Sequence, residues 1–177
     1  MAIAPGGCGR RSAATHPALR EPPKKELHVA APQSKPWQIV IADPGLDAPK
    51  DETLDGGTVR VYQAANLRRG ISVSVYMQPA QEPNADHRRV REVFWKRTRA
   101  QLEVDDVSFW DTPDAAFVAY TARNLLGSGM DQRNVGVFMA HDGVWIDVQI
   151  ARMQFTPADE VILREIARSV AVRRSGR

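Results

Sequence analysis

The residues that could do chemistry are few, and the first to consider are His141 and Asp142. A histidine beside a carboxylate can serve as a general acid/base when a serine or tyrosine lies within reach. The same pair precedes Gly143 between two apolar runs, and Asp-Gly in that position is typical of a β-hairpin turn. The sequence therefore favours a turn here, and a small hydrolase using the His141/Asp142 end is the alternative.

Two sets of residues have the side-chain types of metal ligands. Cation-binding loops space oxygen ligands at alternate positions and turn the chain with a glycine, which the acidic cluster lacks. The histidines are too far apart in sequence for the spacing of a zinc site. Gly-rich phosphate-binding motifs are also missing, so we predict neither a metal nor a cofactor. The two sets are Asp105, Asp106, Asp111 and Asp114, and His16, His28, His87 and His141.

Cations crowd residues 85–102, which have the period of an amphipathic helix. Its apolar stripe consists of Val90, Val93, Phe94 and Leu102. On another face, a tryptophan lies among arginines, which is the composition of many binding hot spots. We name four residues there as candidates for binding an acidic protein surface or, alternatively, an anionic membrane surface: Arg88, Arg91, Trp95 and Arg99. The competing interpretation is a solvated helix face with the tryptophan folded onto the core.

Length and charge exclude several classes of protein. A chain of 177 residues with 43% hydrophobic residues is sized for one domain. Residues 1–36 carry a net charge of +4 and residues 173–177 a charge of +3, so residues 37–172 carry −4 within the total of +3. A nucleic-acid-binding domain is expected to carry its cations on the folded body, so no nucleic-acid partner is predicted. One cysteine cannot form a disulfide framework.

The first 36 residues are predicted to be a disordered tether. They hold six of the 12 prolines and no aromatic residue, so they cannot bury enough apolar surface to fold. Cys8 follows small residues, as a lipidated cysteine does, and the Pro/Ala-rich stretch after it is typical of a spacer. That interpretation requires a start upstream of Met1, because an apolar signal segment is missing. The alternatives are an ordinary disordered terminus with a free thiol and an organellar transit peptide.

The remaining chain alternates between strand and helix patterns. Runs with period-two alternation predict six to seven strands, and residues 85–102 and 157–170 predict two helices. Thr156, Pro157 and Asp159 form a helix start signal before the second helix. The resulting order is β-β-β-α-β-β-β-β-α, with residues 44–57 as a loop. The expected fold is therefore α+β, a largely antiparallel sheet packed by two helices, over residues 37–172, followed by a basic tail at 173–177.

With this order, the chain resembles the Mog1/PsbP-like fold group and is closest in character to bacterial DcrB-like envelope proteins. The resemblance runs from Trp37 to about Val172. It rests on a tryptophan-led strand ending in a proline turn at Pro44, the helix before Phe109-Trp110, a hairpin with a Val-Phe…Asp-Gly-Val-Trp pattern, and the Phe155-Thr156-Pro157 helix entry. A turn glycine common in relatives is missing near Pro113.

Members of this group are mostly non-enzymatic, so the resemblance implies a binding or accessory role and transfers no catalytic residue. The leading hypothesis is a partner-binding domain of the bacterial cell envelope or periplasm, with a protein partner and with Cys8 as the lipidation candidate. The alternative is a cytosolic adaptor or chaperone for a secreted cargo. The sequence assigns neither the oligomeric state nor the pathway.

Overall fold

A computed structural model describes residues 25–176 of the chain. These residues form ten strands and two helices. The strands are β1 (Lys25–Ala30), β2 (Trp37–Asp43), β3 (Asp47–Leu54), β4 (Val59–Asn66), β5 (Ile71–Pro79), β6 (Val104–Asp111), β7 (Ala116–Ala122), β8 (Gln132–His141), β9 (Val144–Met153) and β10 (Ala171–Arg174). The helices are α1 (His87–Gln101), between β5 and β6, and α2 (Pro157–Ser169), between β9 and β10.

The strands form two sheets in which every neighbouring pair is antiparallel. The large sheet has the order β3-β4-β5-β9-β8-β7-β6, and the small sheet has the order β1-β2-β10. The α+β class with a largely antiparallel sheet and two helices is therefore confirmed. The large sheet has seven strands, within the six to seven predicted, and a small three-stranded sheet accompanies it.

The two faces of the large sheet are covered differently. One face packs against α2 and the small sheet, and the core between them is apolar, with Ile146, Val148 and Leu163 fully buried. The other face packs against α1 through a smaller, aromatic-rich cluster that includes Phe138 and Trp145. The domain therefore has three layers, with the large sheet in the middle.

Local sequence signals explain the elements that were predicted. Asp159 Oδ2 accepts hydrogen bonds from Thr156 N at 2.7 Å and Thr156 Oγ1 at 2.9 Å, which caps α2 as the Thr-Pro-x-Asp sequence indicates. Asp142 and Gly143 have positive φ angles of 49° and 72°, as the central residues of a tight hairpin turn require. The β8–β9 hairpin and α2 therefore lie where the sequence places them.

Three strands were missed, and the domain boundaries change with them. The part of the tether from Lys25 onward is ordered, since β1 pairs with β2 and buries Val29 completely. The predicted loop before Gly56 contains β3, a polar edge strand paired with β4. The predicted basic tail begins inside β10, where Arg174 pairs with Trp37. The rest of the tether, including Cys8 and His16, lies outside the described residues.

Within residues 25–176, neither helix combines the length and the hydropathy that a bilayer-spanning segment needs.

The pairing of β1 predicts a difference between two truncated proteins. A chain that begins at Ala31 should be less stable than one that begins at Lys25, because it loses the β1–β2 hydrogen bonds and the burial of Val29. Burying one such side chain contributes about 1.5–3 kcal/mol. Urea denaturation of both proteins measures the loss. Equal midpoints would show that β1 contributes nothing to the fold.

Candidate functional site

Asp86 is the N-cap residue of the first helix, α1, which begins at His87. Asp86 Oδ1 accepts a hydrogen bond from Arg89 N at 2.9 Å. From this point α1 crosses the large sheet over β7, β8 and β9 and buries Val90, Phe94 and Trp95. Val93 and Leu102 pack at the edge of the same cluster, so the predicted apolar stripe is confirmed and Trp95 belongs to it.

Trp95 is therefore not an exposed binding residue. Only 8% of its surface is accessible, and its ring lies 5.0 Å from that of Tyr120 and 5.8 Å from that of Phe109. The physical reason is its position beside Phe94, at the border between the apolar stripe and the cationic face. Burying a large aromatic surface there is favourable, and Arg99 can cover the outer edge of the ring.

The three candidate arginines have different surroundings. Arg91 is mostly buried, and its Nη1 bonds Asp111 Oδ1 at 2.5 Å and the Phe117 carbonyl at 3.2 Å, so it fastens α1 to β6 and β7. Arg88 is largely exposed and pairs with Asp111 Oδ2 at 3.0 Å. The guanidinium of Arg99 lies 5.8 Å from the ring centroid of Trp95 and faces solvent. Arg88 and Arg99 thus remain accessible cations.

Among residues 25–176, the aromatic side chain most exposed to solvent is Phe109. It lies on β6, an edge strand of the large sheet, and is 52% exposed, while Val107 on the same strand is 40% exposed. Trp95 contacts the ring edge-on, and the Arg91 guanidinium lies 5.2 Å from its centroid. The sequence analysis missed this residue. Alternation in β6, with Trp110 facing the α2 side, is the signal that would have placed Phe109 on the α1 side.

We call the group formed by Arg88, Arg91, Arg99, Val107 and Phe109 the α1/β6 surface, in which all but Arg91 are exposed. The acidic residues beside it are paired with arginines, Asp111 with Arg88 and Arg91, and Glu92 with Arg89. The surface therefore presents an apolar centre with cations around it.

The second candidate site is the tip of the β8–β9 hairpin. Lys35 Nζ donates to Asp142 Oδ2 at 2.9 Å, and Trp37 Nε1 donates to the same oxygen at 3.3 Å. The hydrogen bond from Lys35 lowers the pKa of Asp142, so this carboxylate stays ionised. The His141 ring meets Trp37 edge-on with centroids 5.1 Å apart. Asp142 thus clamps the hairpin to residues 35–37 and is not bonded to His141 as a catalytic partner.

A cleft of about 650 Å³ opens beside His141, between the end of the large sheet and α2. The one hydroxyl among its lining side chains belongs to Thr112, which bonds the backbone of Ala115 within a turn. Among residues 25–176, no serine, cysteine or tyrosine lines it. The arrangement required of the hydrolase alternative, a nucleophile beside His141, is therefore not formed in this cleft.

Three of the four residues of the acidic cluster, Asp105, Asp106 and Asp111, are paired with arginines. Arg123 pairs with Asp105 at 2.7 Å and with Asp131 at 2.5 Å, and Asp111 pairs with two arginines of α1. His28 lies in β1, away from His87 and His141. Across residues 25–176, no three His, Cys, Asp or Glu side chains come together as metal ligands would.

Asp147 is a titratable residue that the sequence analysis did not single out. It lies in β9 on the α1 face, and its carboxyl oxygen accepts from Gln149 Nε2 at 2.5 Å. Burial raises the pKa of Asp147 to about 7, because this neutral donor and the more distant Arg97 compensate only in part. Gly136 leaves space for the Gln149 side chain that donates to Asp147, since a Cβ atom at position 136 would lie 2.8 Å from Gln149 Nε2. No local pattern in the sequence indicates this burial.

Comparisons with known proteins give a structural likeness but no family. No protein-family model matches the sequence, and a search of curated proteins finds no match. The chain is similar to a solution structure of cyanobacterial PsbP (CyanoP) from Synechocystis sp. PCC 6803, with a TM-score of 0.49 and 11% identity over 95% of this chain and 98% of that chain. That structure belongs to the PsbP group that the sequence resembles. A likeness of this size says nothing about function, and the DcrB-like character stays a prediction.

Replacing Trp95 tests its burial. Trp95→Ala should lower the free energy of unfolding by about 3–5 kcal/mol, because it leaves a cavity between α1 and β7. Leu67→Ala is the control, since Leu67 is 84% exposed and its loss should cost less than about 0.5 kcal/mol. Chemical denaturation gives both values. A change in Trp95→Ala as small as that of the control would mean that the ring is in solvent.

The buried carboxyl of Asp147 predicts a pH dependence of stability. As pH rises from the ordinary pKa of 3.8 to about 7, the unfolded chain loses this proton before the folded chain does, so stability falls. Asp147→Asn should remove that fall and exceed the wild type by about 1–4 kcal/mol above neutral pH. The two proteins should converge in acid. Urea denaturation across pH measures this, with the exposed Glu165→Gln as control. Parallel curves for wild type and Asp147→Asn would contradict it.

Proposed function

We propose that this chain is a non-catalytic accessory domain that binds an acidic protein partner through the α1/β6 surface. The observation that carries the proposal is the half-exposed Phe109, held between the Trp95 ring and the Arg91 guanidinium. A rigid aromatic anchor costs little conformational entropy when a partner covers it. Phe109 and Val107 both expose apolar surface on one edge strand, and exposed apolar surface rimmed by polar residues is typical of interaction sites.

The charge of the α1/β6 surface indicates the charge of the partner. Arg88 and Arg99 lie on the solvent side of α1 at either end of this surface, and Lys96 is an exposed cation on the same helix. Asp111 is already paired with arginines and does not cancel them fully. An acidic surface with an apolar centre is complementary to this arrangement, and long-range attraction would accelerate its docking.

The proposal also includes the cellular location. The Pro/Ala-rich composition before Lys25 and the small residues around Cys8 support an envelope domain on a tether that is lipidated at Cys8. Mass spectrometry of the protein purified from its native cells tests this part: an acyl adduct on Cys8 would support it, and an unmodified thiol on a chain beginning at Met1 would refute it.

Site-specific photo-crosslinking tests the binding surface. With a benzophenone amino acid at position 109, we expect one discrete adduct with a protein partner in the native cells. The same probe at position 67, a highly exposed leucine at the other end of the sheet, is the matched control and should give none. Arg88→Glu combined with Arg99→Glu should abolish the adduct at 109 while the protein stays folded, because exposed ion pairs contribute little to stability.

Three results would overturn the proposal. They are adducts of equal yield from both positions, an adduct that survives the double reversal, and flotation of the protein with phosphatidylglycerol vesicles that depends on the same arginines. The third would assign the surface to a membrane in place of a protein.

A further inference from the structure

We propose that the cleft between His141 and Arg168 binds a small amphiphile that has an anionic oxygen head group. The cleft lies at the end of the apolar core, where the large sheet, α2 and β10 meet. Its volume of about 650 Å³ is within the range of small-molecule sites. This inference concerns a different part of the molecule from the α1/β6 surface and does not depend on it.

Apolar side chains form the base and part of the walls of the cleft. Phe117, Met139 and Val170 close the base and are only 3–8% exposed, so the apolar surface that a ligand could cover belongs to Pro113, Ala140 and Val172 on the walls. A ligand with a hydrocarbon or aromatic portion would remove this surface from water. The hairpin clamp at Asp142 holds one wall in place without a ligand. The cleft is thus preformed.

The rim is rich in hydrogen-bond donors. The side chain of Arg168, in the last turn of α2, makes no ion pair or hydrogen bond with any residue among 25–176 and is exposed beside the cleft. The imidazoles of His87 and His141 line the same opening and can each donate from a ring nitrogen. One carboxylate, Asp114, lies there as well. An arginine and two imidazoles against one acid favour an anionic oxygen head, carboxylate or phosphate, on the ligand.

The probe for this site is anilinonaphthalene sulfonate, which joins an aromatic body to an anionic head. We expect its fluorescence to rise on binding the folded, full-length protein. Arg168→Glu should weaken binding tenfold or more, and Arg168→Gln should weaken it less, since only the first reverses the charge. Asp114→Asn should tighten binding. Lys50→Glu, on the exposed edge strand β3, makes the same change of net charge elsewhere and should leave the affinity unchanged.

Competition then identifies the head group. Decanoate and decyl phosphate should displace the probe, and whichever acts at lower concentration names the preferred head. Decanol has the same tail without charge and should displace it at least tenfold less effectively. Equal displacement by decanol would overturn the anionic head, and unchanged probe affinity in both Arg168 variants would overturn the site. Near-ultraviolet circular dichroism of each variant shows that it is folded, and the crosslink at position 109 should persist in Arg168→Glu.

Discussion

The arrangement of layers depends on one fully buried ion pair, between Arg152 of β9 and Asp159 of α2. Arg152 Nε lies 3.0 Å from Asp159 Oδ2, and neither side chain is accessible to solvent. The same carboxylate caps α2 through Thr156, and Arg152 also donates to the Arg69 carbonyl in the β4–β5 turn. The end of β9 and the start of α2, which are neighbours in sequence, are thereby fixed to the β4–β5 turn, where Arg69 lies 83 residues before Arg152. Removing one partner of such a pair strands a buried charge, which typically costs about 3–5 kcal/mol.

The position of α2 determines the position of the small sheet. Both elements contribute residues to the cleft, so the shape of the cleft depends on them. Ser169 Oγ, at the end of α2, accepts a hydrogen bond from Ala42 N in β2 at 2.8 Å, and β10 follows at once. Arg168 reaches the cleft only because the helix ends there, and β10 supplies Val172 to the same wall. The first turn of α2 therefore sets the position of residues three helical turns away through the rigidity of the helix.

Prediction from sequence succeeded where the signal is local. The cap at Thr156 and the turn at Asp142-Gly143 each require only neighbouring residues, so their types and spacing were sufficient. It failed for β1, β3 and β10, whose pairing is imposed by a distant partner. Of the six residues of β1 only Val29 is buried, and β10 is four residues long. The cationic helix face was found, but which aromatic side chain it exposes depends on how α1 sits on β6, and no helical periodicity specifies that.

The two sides of the large sheet are stabilised by different interactions, and the difference indicates where a bound partner could add stability. The α2 side is an apolar core closed by the Arg152–Asp159 pair. The α1 side includes Asp147, whose pKa burial raises to about 7, and two buried N–H groups, of Gln78 and Trp145, that have no acceptor within the described residues. The α2 side also has such donors, at Trp110 Nε1 and Arg133 Nε, so each layer carries a cost of this kind. What distinguishes the α1 side is the exposed contact of Phe109 with Trp95, and a partner bound there would gain by covering it.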